Sequence, residues 1–176
     1  DVPRVNYRGG MRDAVPRTMG VEEEFHLVDL RTRRLTARAP ELLHVLSDSY
    51  VAEIQRCVVE MNSGVVDSLD ALRADLRKQR KVLVDAASQL GIGVVAAGAV
   101  PLSVPAEMQV TQTARYRQML ADYQLLAREQ LICGTQVHVG IDDRDESVAV
   151  ANRVSAYVPT LLALSASSPF WSDGSD

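Results

Sequence analysis

Three segments of this chain alternate polar and apolar side chains with a period of two, and the polar side of each carries acids, amides or an imidazole. In "MGVEEEFHLVD", Met19 to Asp29, Glu22, Glu24 and His26 share one face of a strand, and Val21, Glu23, Phe25 and Leu27 share the other. In "CGTQVHVGID", Cys133 to Asp142, the residues Val137, Val139 and Ile141 point one way and Gly134, Gln136, His138 and Gly140 the other. The third segment runs roughly from Glu53 to Asn62. It gives Glu60 the parity of Ile54, Arg56 and Val58, and leaves Glu53 on the opposite parity unless the strand starts late or carries a bulge. Strands separated by single helices would suit a parallel α/β fold. Strands buried on both faces read apolar throughout, however, so the alternation favours an open sheet covered by helices on one face.

The remaining segments fit around such a sheet. Residues 1 to 17, with Pro3, Gly9, Gly10 and Pro16, have no period and read as an arm, and residues 18 to 176 read as the domain. "DLRTRRLTAR" reads as a turn and a short returning strand, and "APELLHVLSD" as a helix with Pro40 in its first turn. Leu69, Leu72, Leu76, Leu83 and Leu90 mark the stripe of a long helix with Ser68 as N-cap and Gly91 as its stop. "IGVVAAGA" reads as a short buried strand, and the stretch from Val100 to Ala114 as a long loop of the kind that is often functional. "RYRQMLADYQLLAREQLI" reads as one amphipathic helix, and a last helix from Arg144 is bent by Pro159.

Composition bounds the class. At 176 residues the chain is long enough for one sizeable core, and 47% hydrophobic with 24% charged residues is ordinary for a globular domain. A net charge of −4, with arginines scattered among acids, argues against a nucleic-acid partner. No uninterrupted apolar run reaches a membrane-spanning length, and the first residues lack the apolar core of a signal peptide. These points lead to an expectation of cytoplasmic residence without membrane contact. The absence of an initiator Met leads to the expectation that the chain start is trimmed. Cys57 and Cys133 sit far apart in apolar contexts and read as reduced, buried thiols.

Carboxylates and one imidazole on the exposed face of a sheet would form a platform for a divalent cation. Two like charges two residues apart repel unless a cation or an ion pair compensates them. Oxygen-rich ligands suit Mg²⁺ or Mn²⁺, whereas Zn²⁺ prefers more His or Cys. Plainer readings stand beside this one: a solvated edge strand for Glu22 and Glu24, a structural histidine at His138, and a solvent-facing strand end at Glu60.

Taken together, "GVEEEFHLVD", "EIQRCVVEMNSG", "CGTQVHVGIDDRD" and "LLALSASSPFW" resemble the second glutamate–cysteine ligase family, the ATP-dependent carboxylate–amine ligases of bacteria. The resemblance spans residues 19 to 173. It implies an α+β fold, a glutamine-synthetase-like curved antiparallel sheet whose concave face holds ATP, metal ions and the acyl substrate. It also implies a γ-carboxylate activated by ATP as an acyl phosphate and then attacked by an amine. Carried over by motif, Glu22 and Glu24 match the first-strand acidic pair, Glu60 the second-strand metal carboxylate and Glu53 an acid upstream of it. His138 matches the strand imidazole near metal and phosphate, and Gln136 its neighbour on the same face. The implied roles are catalytic for Glu22, Glu24 and His138, cofactor-binding for Gln136, and metal-ligating for Glu22, Glu24, Glu53, Glu60 and His138, with ATP and Mg²⁺ or Mn²⁺ as cofactors.

Two departures accompany the resemblance. Where the family often has a histidine after the "AAG" strand, this chain reads "GAVPLS". Family members are also roughly twice as long, so the expectation is a C-terminal half supplied as further sequence or as a separate chain. Taken alone, this chain is then expected to be inactive, and its unpaired edge strands would favour self-association. Two rivals remain: a ligase of prokaryotic ubiquitin-like tags, which opens with a similar strand, and a non-catalytic half-domain that binds metal–nucleotide or a partner.

Overall fold

The computed structural model describes residues 17–100, 109–166 and 168. The arm and the centre of the loop after Val100 lie outside the described residues. The fold is α+β, and β1 (Met19–Asp29) is its axis. β1 pairs along one edge with β3 (Val58–Asn62), which pairs in turn with β2 (Tyr50–Ala52). Its other edge is shared end to end by β4 (Ile92–Val95), opposite His26 to Asp29, and β5 (Thr135–Val139), opposite Met19 to Glu23. All four pairings are antiparallel.

The register decides which side chains share a face, because directly opposed residues point the same way. Glu22 stands between Asn62 and Gln136, Glu24 opposite Glu60, and Gly20 opposite His138. These residues form one polar face. On the reverse face Phe25 opposes Val59, Glu23 opposes Met61, and Leu27 opposes Val94.

The long helix α2 (Leu69–Gln89) covers that reverse face. The Ser68 hydroxyl accepts from the Ala71 N–H at its start, and Gly91, at φ 67°, allows the turn into β4. Leu83 and Ala87 pack with Phe25, Leu27, Val59 and Met61 in the main core. Two polar links fix the helix in place: Arg80 pairs with the buried Glu23, and the Tyr50 hydroxyl donates to the Gln79 carbonyl at 2.8 Å. The short α1 (Ala39–Leu43) begins with Pro40 in its first turn, as its sequence implies, and buries Leu42.

Several sequence expectations need correction. The segment from Glu53 to Asn62 is not one strand: β3 starts only at Val58, and Glu53 to Cys57 form the link from β2. The returning strand after Asp29 is reduced to a single bridge between Val28 and Leu35. The expected helix from Arg115 is broken at Gln124 into α3 (Ala114–Tyr123) and α4 (Leu125–Glu129). Gln124 has φ 45° and ψ −108°, a conformation that a non-glycine residue adopts only under tertiary constraint. The constraint is visible: the Gln55 amide grips the Ala127 and Arg128 carbonyls, and the Tyr116 hydroxyl grips the Ala52 carbonyl. The last helical run is interrupted as expected: α5 (Arg144–Val154), a 3-10 turn over Ser155–Tyr157, and α6 (Val158–Ser165) with Pro159 in its first turn.

Candidate metal centre on the polar face

Glu24, Glu53 and Glu60 converge. One carboxylate oxygen from each lies within 4.8 Å of the other two, and all three side chains are half-buried. They arrive by different routes. Glu24 and Glu60 oppose each other on neighbouring strands, while Glu53 reaches in from the link after β2. The parity of Glu53 in a continuous strand is therefore irrelevant, because no strand runs through it.

The groups gripping these carboxylates are neutral. The Gly134 N–H donates to Glu24 at 2.9 Å, the Asn62 amide to Glu60 at 2.9 Å, and the Ile54 N–H to Glu53 at 3.0 Å. Each bond orients an oxygen without cancelling its charge. Burial raises the Glu53 pKa, the Ile54 N–H opposes it, and the charges of Glu24 and Glu60 raise it further. Three hard oxygen donors within 4.8 Å of one another form a donor set that fits Mg²⁺ or Mn²⁺.

Glu22 and His138 form a separate unit. His138 Nε2 lies 3.2 Å from the Glu22 carboxylate, and Gln136 stands directly opposite Glu22 in the register. A cavity of about 360 Å³ adjoins this pair, lined also by Gly20, Asn62, Ser63 and Gly140. A smaller one, about 90 Å³, lies beside Glu24 and Glu53 with Gln55 and Gln130 in its wall. The sequence-derived set thus divides into a three-carboxylate cluster and a carboxylate–imidazole pair along the same face.

Sequence reasoning missed the residues that grip the acids. Asn62 was legible, since it lies two residues beyond Glu60 on the same parity. The Gly134 N–H was not, because a backbone donor leaves no signature in side-chain types. His26 differs in burial. It shares the parity of Glu22 and Glu24, yet it is fully buried, and neither ring nitrogen has a hydrogen-bond partner among the described residues. Burial lowers its pKa from 6.5 to about 4. The Ala97 main chain pulls slightly the other way without reaching normal hydrogen-bond geometry.

The two cysteines are unpaired thiols, Cys57 buried and Cys133 half-buried. Burial pushes Cys57 up to about 11. Cys133 is also raised, by burial first and then by nearby Glu24, Cys57 and Glu53. Both therefore stay protonated and are poor metal ligands.

An antiparallel sheet with a helix on one face and a carboxylate cluster on the other defines the class: an α+β domain with three converging acids on the open side of its sheet. Residues 18–175 match the family model described as "Glutamate-cysteine ligase family 2(GCS2)", and the chain belongs to that family. A Mycolicibacterium smegmatis protein named "Putative glutamate--cysteine ligase 2-2" is 78% identical over 161 residues, which is 92% of this chain and 41% of that protein. A Rhodococcus jostii protein named "Putative glutamate--cysteine ligase 2-3" is 70% identical over 162 residues, 92% of this chain and 20% of that protein. This chain therefore spans less than half the length of these relatives. In fold it is similar to the crystal structure of a glutamate–cysteine ligase from Francisella tularensis in complex with AMP. The TM-score is 0.59 at 14% identity, covering 82% of this chain and 30% of that one.

Proposed function

We propose that this chain is the metal-binding part of an ATP-dependent carboxylate–amine ligase of the glutamate–cysteine type. In this reading a glutamate-type carboxylate attacks the γ-phosphorus of ATP, giving an acyl phosphate and ADP. An amine then displaces phosphate from the acyl carbon to form the amide. The observation that carries the reading is the convergence of Glu24, Glu53 and Glu60 within 4.8 Å in a member of this family.

Phosphoryl transfer asks chiefly for positioning and charge neutralisation. Bound Mg²⁺ or Mn²⁺ would supply the neutralisation, held by Glu24, Glu53 and Glu60. Asn62 and Gly134 hold two of those carboxylates in place. Glu22 orients the His138 imidazole, and Gln136 lies beside them as a candidate contact for the nucleotide phosphates. The reading assigns the protein to the cytoplasm, where ATP is made and where unpaired thiols such as Cys57 and Cys133 persist.

The chain's extent supports a second element of the reading. It matches 41% of the Mycolicibacterium smegmatis relative, and in this reading the catalytic site also draws on the part of such a protein that this sequence does not cover. The test is phosphate release with ATP, Mg²⁺, glutamate and a panel of amines, with this chain alone and with the remaining family polypeptide added. Glutamate-dependent release only in the completed protein is expected. Full turnover by the chain alone would overturn the requirement for the remainder, and none in either sample would overturn the ligase reading.

A further inference from the structure

Gln55 lies in the link that carries Glu53, between β2 and β3, and is only 1% exposed. Its Nε2 donates to the Ala127 and Arg128 carbonyls, each at 3.2 Å. Those two bonds fix the orientation of the amide, because a reversed amide would set three acceptor oxygens against one another. Oε1 is therefore turned away from these carbonyls, and among the described residues it has no hydrogen-bond partner. A buried amide oxygen without a donor is unfavourable, so such an atom marks a place where a ligand or an ordered water belongs.

The neighbours of Gln55 define what belongs there. It stands in the wall of the cavity of about 90 Å³ beside Glu24 and Glu53. Ile54, Val58 and Ile132 offer that cavity only apolar side chains, and the Gly134 N–H is already given to Glu24. Two carboxylates and an amide oxygen, acceptors all, thus border one small space. A group that bridges them has to donate in more than one direction. A water ligated to a cation does so, since its lone pair is committed to the metal and both its protons are free. Three carboxylate ligands leave about three of the six positions of Mg²⁺ or Mn²⁺ for other oxygens, and Mg²⁺ keeps several waters. The cavity has room for more than one of them.

We propose that Gln55 is a positioning residue for the cation held by Glu24, Glu53 and Glu60, its Oε1 accepting a hydrogen bond from a water on that cation. The same amide holds α4 through the Ala127 and Arg128 carbonyls, just past the break at Gln124. One buried side chain then links the hydration of the cation to the helix break. The inference rests on the cation site of the proposed function and adds to it a residue that is neither acidic nor a direct ligand.

The test uses the whole chain, made by cell-free synthesis with ¹³C at the side-chain carbonyl of glutamine only, and loaded with Mn²⁺. Electron–nuclear double resonance then reads the distance from Mn²⁺ to labelled carbons. A metal–oxygen bond of about 2.1 Å followed by a hydrogen bond of about 2.8 Å puts the Gln55 Cδ roughly 4.5–5.5 Å from the ion. A coupling at that distance is expected, lost in Gln55→Met and kept in Gln130→Met, which removes the other amide side chain of the cavity wall. Gln55→Asn also lacks the labelled carbon but keeps an amide, and it replaces Gln55→Met should that variant not fold. Gln55→Met should weaken Mn²⁺ binding roughly tenfold, the scale of losing a partner of a metal-bound group. A coupling at about 3 Å would overturn the proposal by making Gln55 a direct ligand. So would a coupling that survives in the Gln55 variants, or none within roughly 7 Å. If Glu24→Gln, Glu53→Gln and Glu60→Gln weaken Mn²⁺ while Gln55 shows no coupling, this inference fails and the cation site stands. If those three changes leave the affinity unchanged, the cation site fails and takes this inference with it.

Discussion

Glu24 and Glu60 stand directly opposite each other on neighbouring antiparallel strands, and Glu53 brings a third carboxylate to the same point. Like charges in such a pair destabilise a sheet by themselves. The hydrogen bonds from Gly134 and Asn62 orient the two strand acids while leaving the negative charge in place.

On the opposite face, the ion pair between Glu23 and Arg80 fastens α2 to β1. Glu23 is buried, while the Arg80 side chain is half exposed, so solvent screens part of the attraction. Replacing Arg80 by Met would leave a buried carboxylate without its partner. The expected loss is on the order of 1–2 kcal/mol in urea unfolding, less than for a fully buried pair. The double variant Arg80→Met with Glu23→Gln should recover part of that loss.

His26 should make the metal-free chain acid-sensitive. Its pKa is about 4 in the folded chain against 6.5 ordinarily, so below 6.5 the unfolded chain binds the proton first. Stability contributed by the neutral imidazole is present above 6.5 and is lost as pH falls towards 4, by roughly 3 kcal/mol in all. The raised pKa of Glu53 acts in the opposite sense, adding stability as pH falls, and offsets part of this loss. In chelator, denaturant melts of His26→Leu should lack the His26 contribution and be more stable than the parent at pH 5. An unchanged pH profile would show that His26 is not the group responsible.

Val137 and His138 test the two faces of β5. Their alternation alone suggests a dry valine and a wet histidine, but Val137 is 68% exposed. Val137→Asp is therefore expected to cost this chain no more than about 1 kcal/mol. A larger loss from the same change in the protein completed by the remaining polypeptide would mark Val137 as covered there. His138→Ala should spare the melting temperature in both contexts and lower glutamate-dependent phosphate release in the completed protein.

Which residues of one strand share a face was legible in the sequence, because alternation is fixed within a strand, whereas the register that pairs Glu22 with Gln136, and so sets Gln136 and His138 beside Glu22 and Glu24, was not. What covers a face was not, since alternation separates two sides without telling which is buried. Hence His26 is enclosed on the polar side while Val137 lies open on the other. Glu53 was ambiguous because it sits in a link, where strand parity has no meaning. The break at Gln124 was hidden because leucine, methionine and tyrosine spacing continues through it, and only contacts from Gln55 and Tyr116 impose the bend.

Manganese binding tests the central claim most directly. Mn²⁺ titrated into the chain and followed by electron paramagnetic resonance should reveal one principal site formed by Glu24, Glu53 and Glu60. Changing any of these to Gln should weaken it roughly tenfold or more, on the scale of removing a charged ligand. Mg²⁺ should compete for it, and Asp122→Asn, in α3, should leave it unchanged. Equal Mn²⁺ affinity in the parent and in all three glutamine variants would contradict the account.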